Sequence, residues 1–354
     1  MRFIGNKEKL LPNIYQEIQS LGFKNSGVFC DFFSGTSNVG RYFKENGFKV
    51  VSSDLLFFSY VLQEAYIKNN EHPRFLKLLK NINTESDTLF DSPLDRIINY
   101  LNCLRGKKGF IYKNYTPEGT ENSDIIRMYF TGENGKKIDA IRQQIELWKE
   151  NKLIKQSEYY ILLAVLIETV PFYSNISGVY GAFLKKYDPR ALKKIELKPI
   201  KIYKGQRNNE VHNLNSMDLI DSLDVDILYL DPPYNGRQYG ANYHVLETIA
   251  KYDNPEIKGV TGMRNYDDQK SDFCNAKKAI NALDKIANTS KYKILVLSYN
   301  SEGIMPQKEI ENTLNKYGNL EVKEINYLRF KSNSNGESKH KKHIKEQLYI
   351  LTRK

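Results

Sequence analysis

An α/β fold built on one mostly parallel sheet is predicted by three features of this chain. Short apolar runs end in acids, amphipathic helical spacings lie between them, and a long middle has a different texture. Residues 7–20 open the pattern with Leu10, Leu11, Ile14, Tyr15 and Ile18 at helical spacing. Val28-Phe29-Cys30-Asp31-Phe32-Phe33 is a short apolar run broken by Ser34-Gly35 and reads as a buried strand. A helix through Val39, Tyr42 and Phe43 should follow, then a second strand over 49–54, then a helix over about 55–68 that completes a βαβα unit. From His72 to Lys198 the chain carries Pro73, Pro93, Pro117 and Pro171, with helical stretches at 138–149 and 158–169. The apolar run Tyr159–Ile167 is expected to supply the core of this module. Strands return at Asp226–Leu230 and Lys293–Ser298. Val322–Phe330 and Gln347–Thr352 flank a polar loop (331–345) and read as an antiparallel pair. The expected organisation is a discontinuous sheet domain, 1–70 and 200–354, interrupted by a largely helical insertion, 71–199.

The chain has 354 residues, with 53 Lys and Arg against 42 Asp and Glu, a net charge of +11. At 40% apolar and 27% charged residues, it is neither collagenous nor disordered by composition. No apolar run approaches the ~18–20 residues of a membrane span. The N-terminal stretch from Met1 to Lys7 has no apolar signal segment. Cys30, Cys103 and Cys274 are odd in number and far apart, which suits neither a disulfide framework nor a zinc site. These features predict a soluble cytoplasmic protein without a metal. The positive surplus fits a nucleic-acid partner, and fits a lysine-rich solvated surface equally well.

The strongest chemical signal is Asp231-Pro232-Pro233-Tyr234. It follows a predicted strand, so it stands where open α/β sheets bind ligands. The prolines fix the backbone and remove two amide donors, leaving carbonyls as acceptors. An acid, rigid carbonyls and an aromatic ring together suit a planar base with an exocyclic amine, which the ring can stack on. The second signal is Asp31-Phe32-Phe33-Ser34-Gly35-Thr36-Ser37-Asn38-Val39-Gly40, a strand, a glycine turn and a helix start, with Asp54 ending the next strand. Asp31 and Asp54 stand about as far apart as the turn and the ribose-binding acid of nucleotide-binding βαβ units. The turn is not G-x-G-x-x-G. It suits a nucleoside without phosphates, and an ordinary βα loop would look the same.

Taken together, these blocks resemble the D12-class, Dam-like DNA adenine-N6 methyltransferases, the α group. Phe3-Ile4-Gly5-Asn6-Lys7 matches the N-terminal block, with an aromatic four residues before a lysine. Asp31–Gly40 matches the S-adenosylmethionine (SAM) loop, Asp54 the ribose-binding acid and Asp231–Tyr234 the catalytic motif. The stretches DPPYNGRQYGANYHVLETI (231–249) and SGVYGAFLK (177–185) are similar to the methylase modules of type IIS restriction systems. One departure stands out: Ser37 occupies a place where many members carry a second glycine.

The resemblance implies a SAM-dependent methyltransferase fold, Rossmann-like, with the insertion as a target-recognition domain. It implies that Phe3, Lys7, Asp31, Gly35, Asp54, Met217, Asp218 and Asp231 hold SAM, with Lys7 on the methionine carboxylate and Asp31 by the amino group. Ser216-Met217-Asp218 is expected at the SAM adenine, or as a helix N-cap at Ser216 or Asp218. Asp231, the Pro232 carbonyl and Tyr234 would act on the N6 amine of an adenine flipped from double-stranded DNA. A cognate restriction endonuclease would act separately. Lys185 and Lys186 are expected on DNA phosphates, in a hairpin or loop over 173–186. Arg237, Tyr239, Asn242, Tyr243 and His244 either contact the target or its orphaned partner base, or begin a helix packed through Val245, Leu246 and Ile249. His340-Lys341-Lys342-His343 reads as solvated loop. Two rival readings are a ribosomal RNA base-amino methyltransferase, which has little need of so large an insertion, and a non-catalytic DNA-binding module.

Overall fold

The computed structural model describes residues 7–23, 25, 27–82, 91–328 and 343–353. Nine strands occur among them: β1 Val28–Asp31, β2 Lys49–Ser53, β3 Glu210–His212, β4 Asp224–Leu230, β5 Ile257–Lys258, β6 Met263–Arg264, β7 Lys291–Asn300, β8 Gly318–Leu328 and β9 His343–Arg353. Seven form one sheet in the order β3-β2-β1-β4-β7-β9-β8. Contacts from β3 through to β7 are parallel; β9 runs antiparallel between β7 and β8. The predicted α/β class holds, with the C-terminal antiparallel pair. The short edge strand β3 has no predicted counterpart, because Glu210-Val211-His212 lacks an apolar run.

The chain forms two compact units. The sheet unit comprises Gly5–Asn70, Gly205–Gly240 and Asp267–Lys354. Its strands are apolar because both faces are covered: Phe29, Cys30, Leu228, Leu230, Leu295 and Leu297 are buried. Phe29 stacks on Phe43 of the helix Asn38–Glu45 with ring centroids 3.7 Å apart. The helix Ala276–Thr289 covers the other side with Leu283 and Ile286. The helix expected over 55–68 is Phe57–Gln63, continued as a wider π turn over Glu64–Lys68. Buried Lys44 donates to the Tyr66 and Asn69 carbonyls and closes that turn.

The helical unit comprises Glu71–Lys204 and also Ala241–Tyr266, so the latter segment departs from the expected division. Two buried polar residues show why. Arg142, on the helix Gly132–Glu150, donates to the Ile249 and Ala250 carbonyls, which end the helix His244–Lys251. Asp139 of the same helix accepts from the Gly109, Ile111 and Tyr112 amides and from the Tyr252 hydroxyl. Local sequence pattern carries no trace of such long-range caps. The helix Gln156–Thr169 buries Tyr159 and Ile161–Ile167, as its all-round apolar sequence requires. Among the described residues, no helix is long and apolar enough to cross a membrane.

Candidate active site

The strand order reverses at β1: β2 lies on one side and β4 on the other. The carboxyl ends of β1 and β4 therefore flank the crevice where such sheets take ligands. Asp31 is the last residue of β1 and Asp231 the first after β4.

Asp31 is buried, 1% exposed, and its Oδ2 accepts the Gly40 amide at 3.0 Å. Glycine suits that approach, since a Cβ on Gly40 would stand 3.2 Å from the same oxygen and 3.0 Å from Ile67, closer than ordinary contact. Burial pushes the Asp31 carboxyl up to about 7; the Gly40 bond pulls down, and Asp231 and Asp54 push up further. Between them, Gly35 and Ser37 are left-handed, with φ of 50° and 60°. Asp54 accepts the Gly35 amide at Oδ2 (2.8 Å) and the Leu56 amide at Oδ1 (2.9 Å), so the acid ending the second strand shapes the turn after the first. Among the described residues, the buried hydroxyls of Ser34 and Ser37 have no hydrogen-bond partner.

The Asp231–Tyr234 turn carries a second cluster. Lys7 is 4% exposed; its ammonium donates to the Tyr234 hydroxyl and to Glu346, stands 3.3 Å from Asp231 Oδ1, and lies 4.7 Å from the Tyr234 ring centre. The Tyr234 hydroxyl donates to Asp231 and lies 3.0 Å from Glu346 Oε1. Ser298 of β7 donates to the same Glu346 oxygen at 2.7 Å. The Tyr234 ring meets Tyr299 edge-on at 5.1 Å, and the Ile304 amide donates to the Tyr234 carbonyl. Burial raises the Asp231 carboxyl to about 6 against the pull of Lys7, with Glu346 pushing the same way as burial. For Lys7, burial alone would lower the ammonium, but Asp231 and Glu346 outweigh it and hold it above its ordinary value.

The structure thus brings Lys7, Asp31, Gly35, Asp54, Asp231, Pro232 and Tyr234 onto the carboxyl ends of the parallel strands. Lys7 bonds the Asp231–Tyr234 turn in this structure, whereas the resemblance put it on a SAM carboxylate. Met217 packs on the core beside β4, and Asp218 is exposed. The N-cap of their short helix is Asn215, which accepts the Met217 amide; neither Ser216 nor Asp218 caps it. Phe3 lies outside the described residues, as does 331–342 of the predicted loop 331–345, whose last three residues belong instead to β9. Glu346 and Ser298 carried no motif. Glu346 stands 112 residues beyond Tyr234, just before the predicted strand.

In the helical unit, 173–186 forms a pinned loop and no hairpin. Buried Asn175 donates to the Met128 and Leu184 carbonyls and accepts the Asp188 amide. Tyr129 and His244 both bond the Tyr180 carbonyl. Lys185 and Lys186 are left exposed. Arg237 is exposed and Tyr239 half-buried in the sheet unit. Asn242, Tyr243 and His244 are buried with Val245, Leu246 and Ile249, so this segment is a packed helix start. Burial lowers the His244 imidazole to about 4, consistent with a neutral core group.

The profile of the D12 class N6 adenine-specific DNA methyltransferases matches residues 3–313. The chain is 42% identical over 347 residues to the type II methyltransferase M.FokI of Planomicrobium okeanokoites, covering 98% of this chain and 51% of the relative. It is 37% identical to the modification methylase StsI of Streptococcus sanguinis, covering 100% of this chain and 52% of the relative. It is also 37% identical to the type II methyltransferase M.NlaIII of Neisseria lactamica, covering 99% of each. The chain therefore spans about half the length of two of these relatives and nearly all of the third. No solved structure matches it. Because the profile runs unbroken from before Lys7, through both strand-end acids and the helical insertion, to beyond β7, the chain belongs to the D12 class N6 adenine-specific DNA methyltransferases.

Proposed function

We propose that this protein transfers a methyl group from SAM to N6 of an adenine flipped out of double-stranded DNA, as the modification enzyme of a restriction–modification system. The observation that carries the reading is the cluster of half-buried Asp231 and Tyr234 with buried Lys7 beside the β1 turn. Family membership supports adenine N6 as the acceptor, and the names of the relatives support the modification role. No observation favours the ribosomal RNA alternative, and a half-buried acid with a raised carboxyl at a strand's end is not what a non-catalytic module needs.

SAM, when bound, supplies a methyl group on a positively charged sulfur. The β1 turn suits such a ligand: Asp31 offers a buried carboxylate to a cation, and Ser34 and Ser37 offer unpartnered hydroxyls. Asp54, which shapes the turn through the Gly35 and Leu56 amides, takes the ribose hydroxyls. Phe3, Met217 and Asp218 complete the proposed SAM contacts. The target base leaves the duplex at a cost of a few kcal/mol, offset by stacking on Tyr234 and by hydrogen bonds. Asp231 and the Pro232 carbonyl accept the N6 hydrogens and turn the nitrogen lone pair toward the methyl group. Positive charge develops on N6, and the Asp231 carboxylate stabilises it. The proton lost from N6 passes to Asp231. The helical insertion reads the sequence, with Lys185 and Lys186 on phosphates and Arg237 and Tyr239 near the target.

The test is a plasmid methylated in cells lacking other methylases, with N6-methyladenine mapped by single-molecule sequencing. One recurring sequence context is expected. Asp231→Ala should lose at least ~100-fold in rate while the fold survives. Near-parental activity in that variant, or an unmodified plasmid with the parent enzyme, overturns the reading.

A further inference from the structure

Glu346 stands apart from every residue that the family resemblance supplies, and its surroundings give it a task. It is 2% exposed, and β9 carries it to the carboxyl edge of the sheet, opposite Asn300 of β7. There one oxygen, Oε1, receives the Lys7 ammonium and the Ser298 hydroxyl, with the Tyr234 hydroxyl 3.0 Å away. Lys7 is at the same time 3.3 Å from Asp231. One buried cation is therefore shared between two carboxylates, only one of which stands on the catalytic turn. We propose that Glu346 is a positioning residue that draws off the Lys7 charge and holds the Tyr234 hydroxyl, so that Asp231 stays basic enough to take the N6 proton. The proposal rests on Asp231 acting as proposed above.

The electrostatics agree in sign. The groups facing Asp231 are Lys7, which lowers its carboxyl, and Glu346, which raises it; the Tyr234 hydroxyl bonds it, and Asp31 and Tyr229 are within electrostatic reach. Removing the Glu346 charge leaves Lys7 to Asp231 alone and should depress Asp231. A purely structural Glu346 would affect folding and leave the titration of Asp231 where it was.

The measurement is the single-turnover rate of methyl transfer from tritiated SAM to duplex DNA as a function of pH. In the parent enzyme the acid limb should fall near about 6, set by Asp231. Glu346→Gln keeps the shape and removes the charge. It should move that limb down by about one unit and lower the plateau rate about tenfold or more, with SAM affinity within about threefold of parental. Glu346→Asp retains the charge on a shorter arm and should move the limb less, in the same direction; it serves as the test if the Gln variant does not fold. A folded, SAM-binding variant whose acid limb is unmoved overturns the proposal. An Asp231→Asn enzyme that retains parental turnover sinks the assignment of Asp231 itself, which separates the two failures.

Discussion

At the scale of single residues, Asp31 makes a sharp prediction about pH. Its carboxyl is raised by burial from 3.8 to about 7. In the ligand-free protein this contribution to stability is present in full at low pH and is lost as pH rises through about 7. For the proposed SAM contact the sign is opposite: a cationic amino group placed on Asp31 would favour the ionised form. SAM affinity should therefore climb as pH rises through about 7 and then level off, with proton release below that point. Titration calorimetry in two buffers of different ionisation enthalpy reads that release, and Asp31→Asn should abolish it. A pH-independent SAM affinity in the parent protein would remove Asp31 from the amino group. Asp231 and Tyr234 were legible as a motif because they are adjacent on the chain and their types suit an amine. Glu346 was not, because nothing near it in the chain hints at Lys7, more than three hundred residues away.

At the scale of elements, the turn after β1 explains the one visible departure from the family pattern. Ser37 is the N-cap position of Asn38–Glu45 and sits at φ 60°, ψ 18°, with a buried, unpartnered hydroxyl. A left-handed residue with a Cβ costs roughly 1–2 kcal/mol, which is why a second glycine is at home there. Ser37→Gly should stabilise the ligand-free protein by about 0.5 kcal/mol or more, after the greater flexibility of glycine in the unfolded chain is set against the relieved strain. Thermal unfolding measures it; a lowered Tm would mean that the serine hydroxyl is worth more than the strain it sits in. The βαβα unit, the helices at 138–149 and 158–169 and the buried strands followed from periodicity and apolar runs, whereas Pro93–Cys103 and Ala276–Thr289 have no predicted counterpart. For 173–186 the sequence left hairpin and loop open, because Asn175, Tyr129 and His244 fix the path through bonds to carbonyls distant in sequence.

At the scale of the whole molecule, the surplus of +11 is unevenly shared. Glu71–Lys204 and Ala241–Tyr266 carry 26 Lys and Arg against 19 Asp and Glu, while the sheet segments carry 26 against 23. Part of it is neutralised locally: Arg190 is paired with Asp188 at 2.8 Å, whereas Lys185, Lys186, Lys193 and Lys194 are exposed. If the helical unit holds DNA, affinity should fall steeply with salt, about one power of salt concentration per phosphate contact, while SAM affinity barely moves. A flat DNA response in a filter-binding titration would return these lysines to an ordinary solvated surface. The linear sequence by itself determined the α/β class, the strand-end acids and the family, since apolar periodicity and short motifs are properties of neighbouring residues. Only the tertiary structure decided that Glu346 meets Lys7 and Asp231, that Ser37 is left-handed, and that 241–266 packs with the helical unit. Those outcomes rest on buried charges and capped carbonyls, whose partners are set by which strands and helices lie side by side in the folded chain.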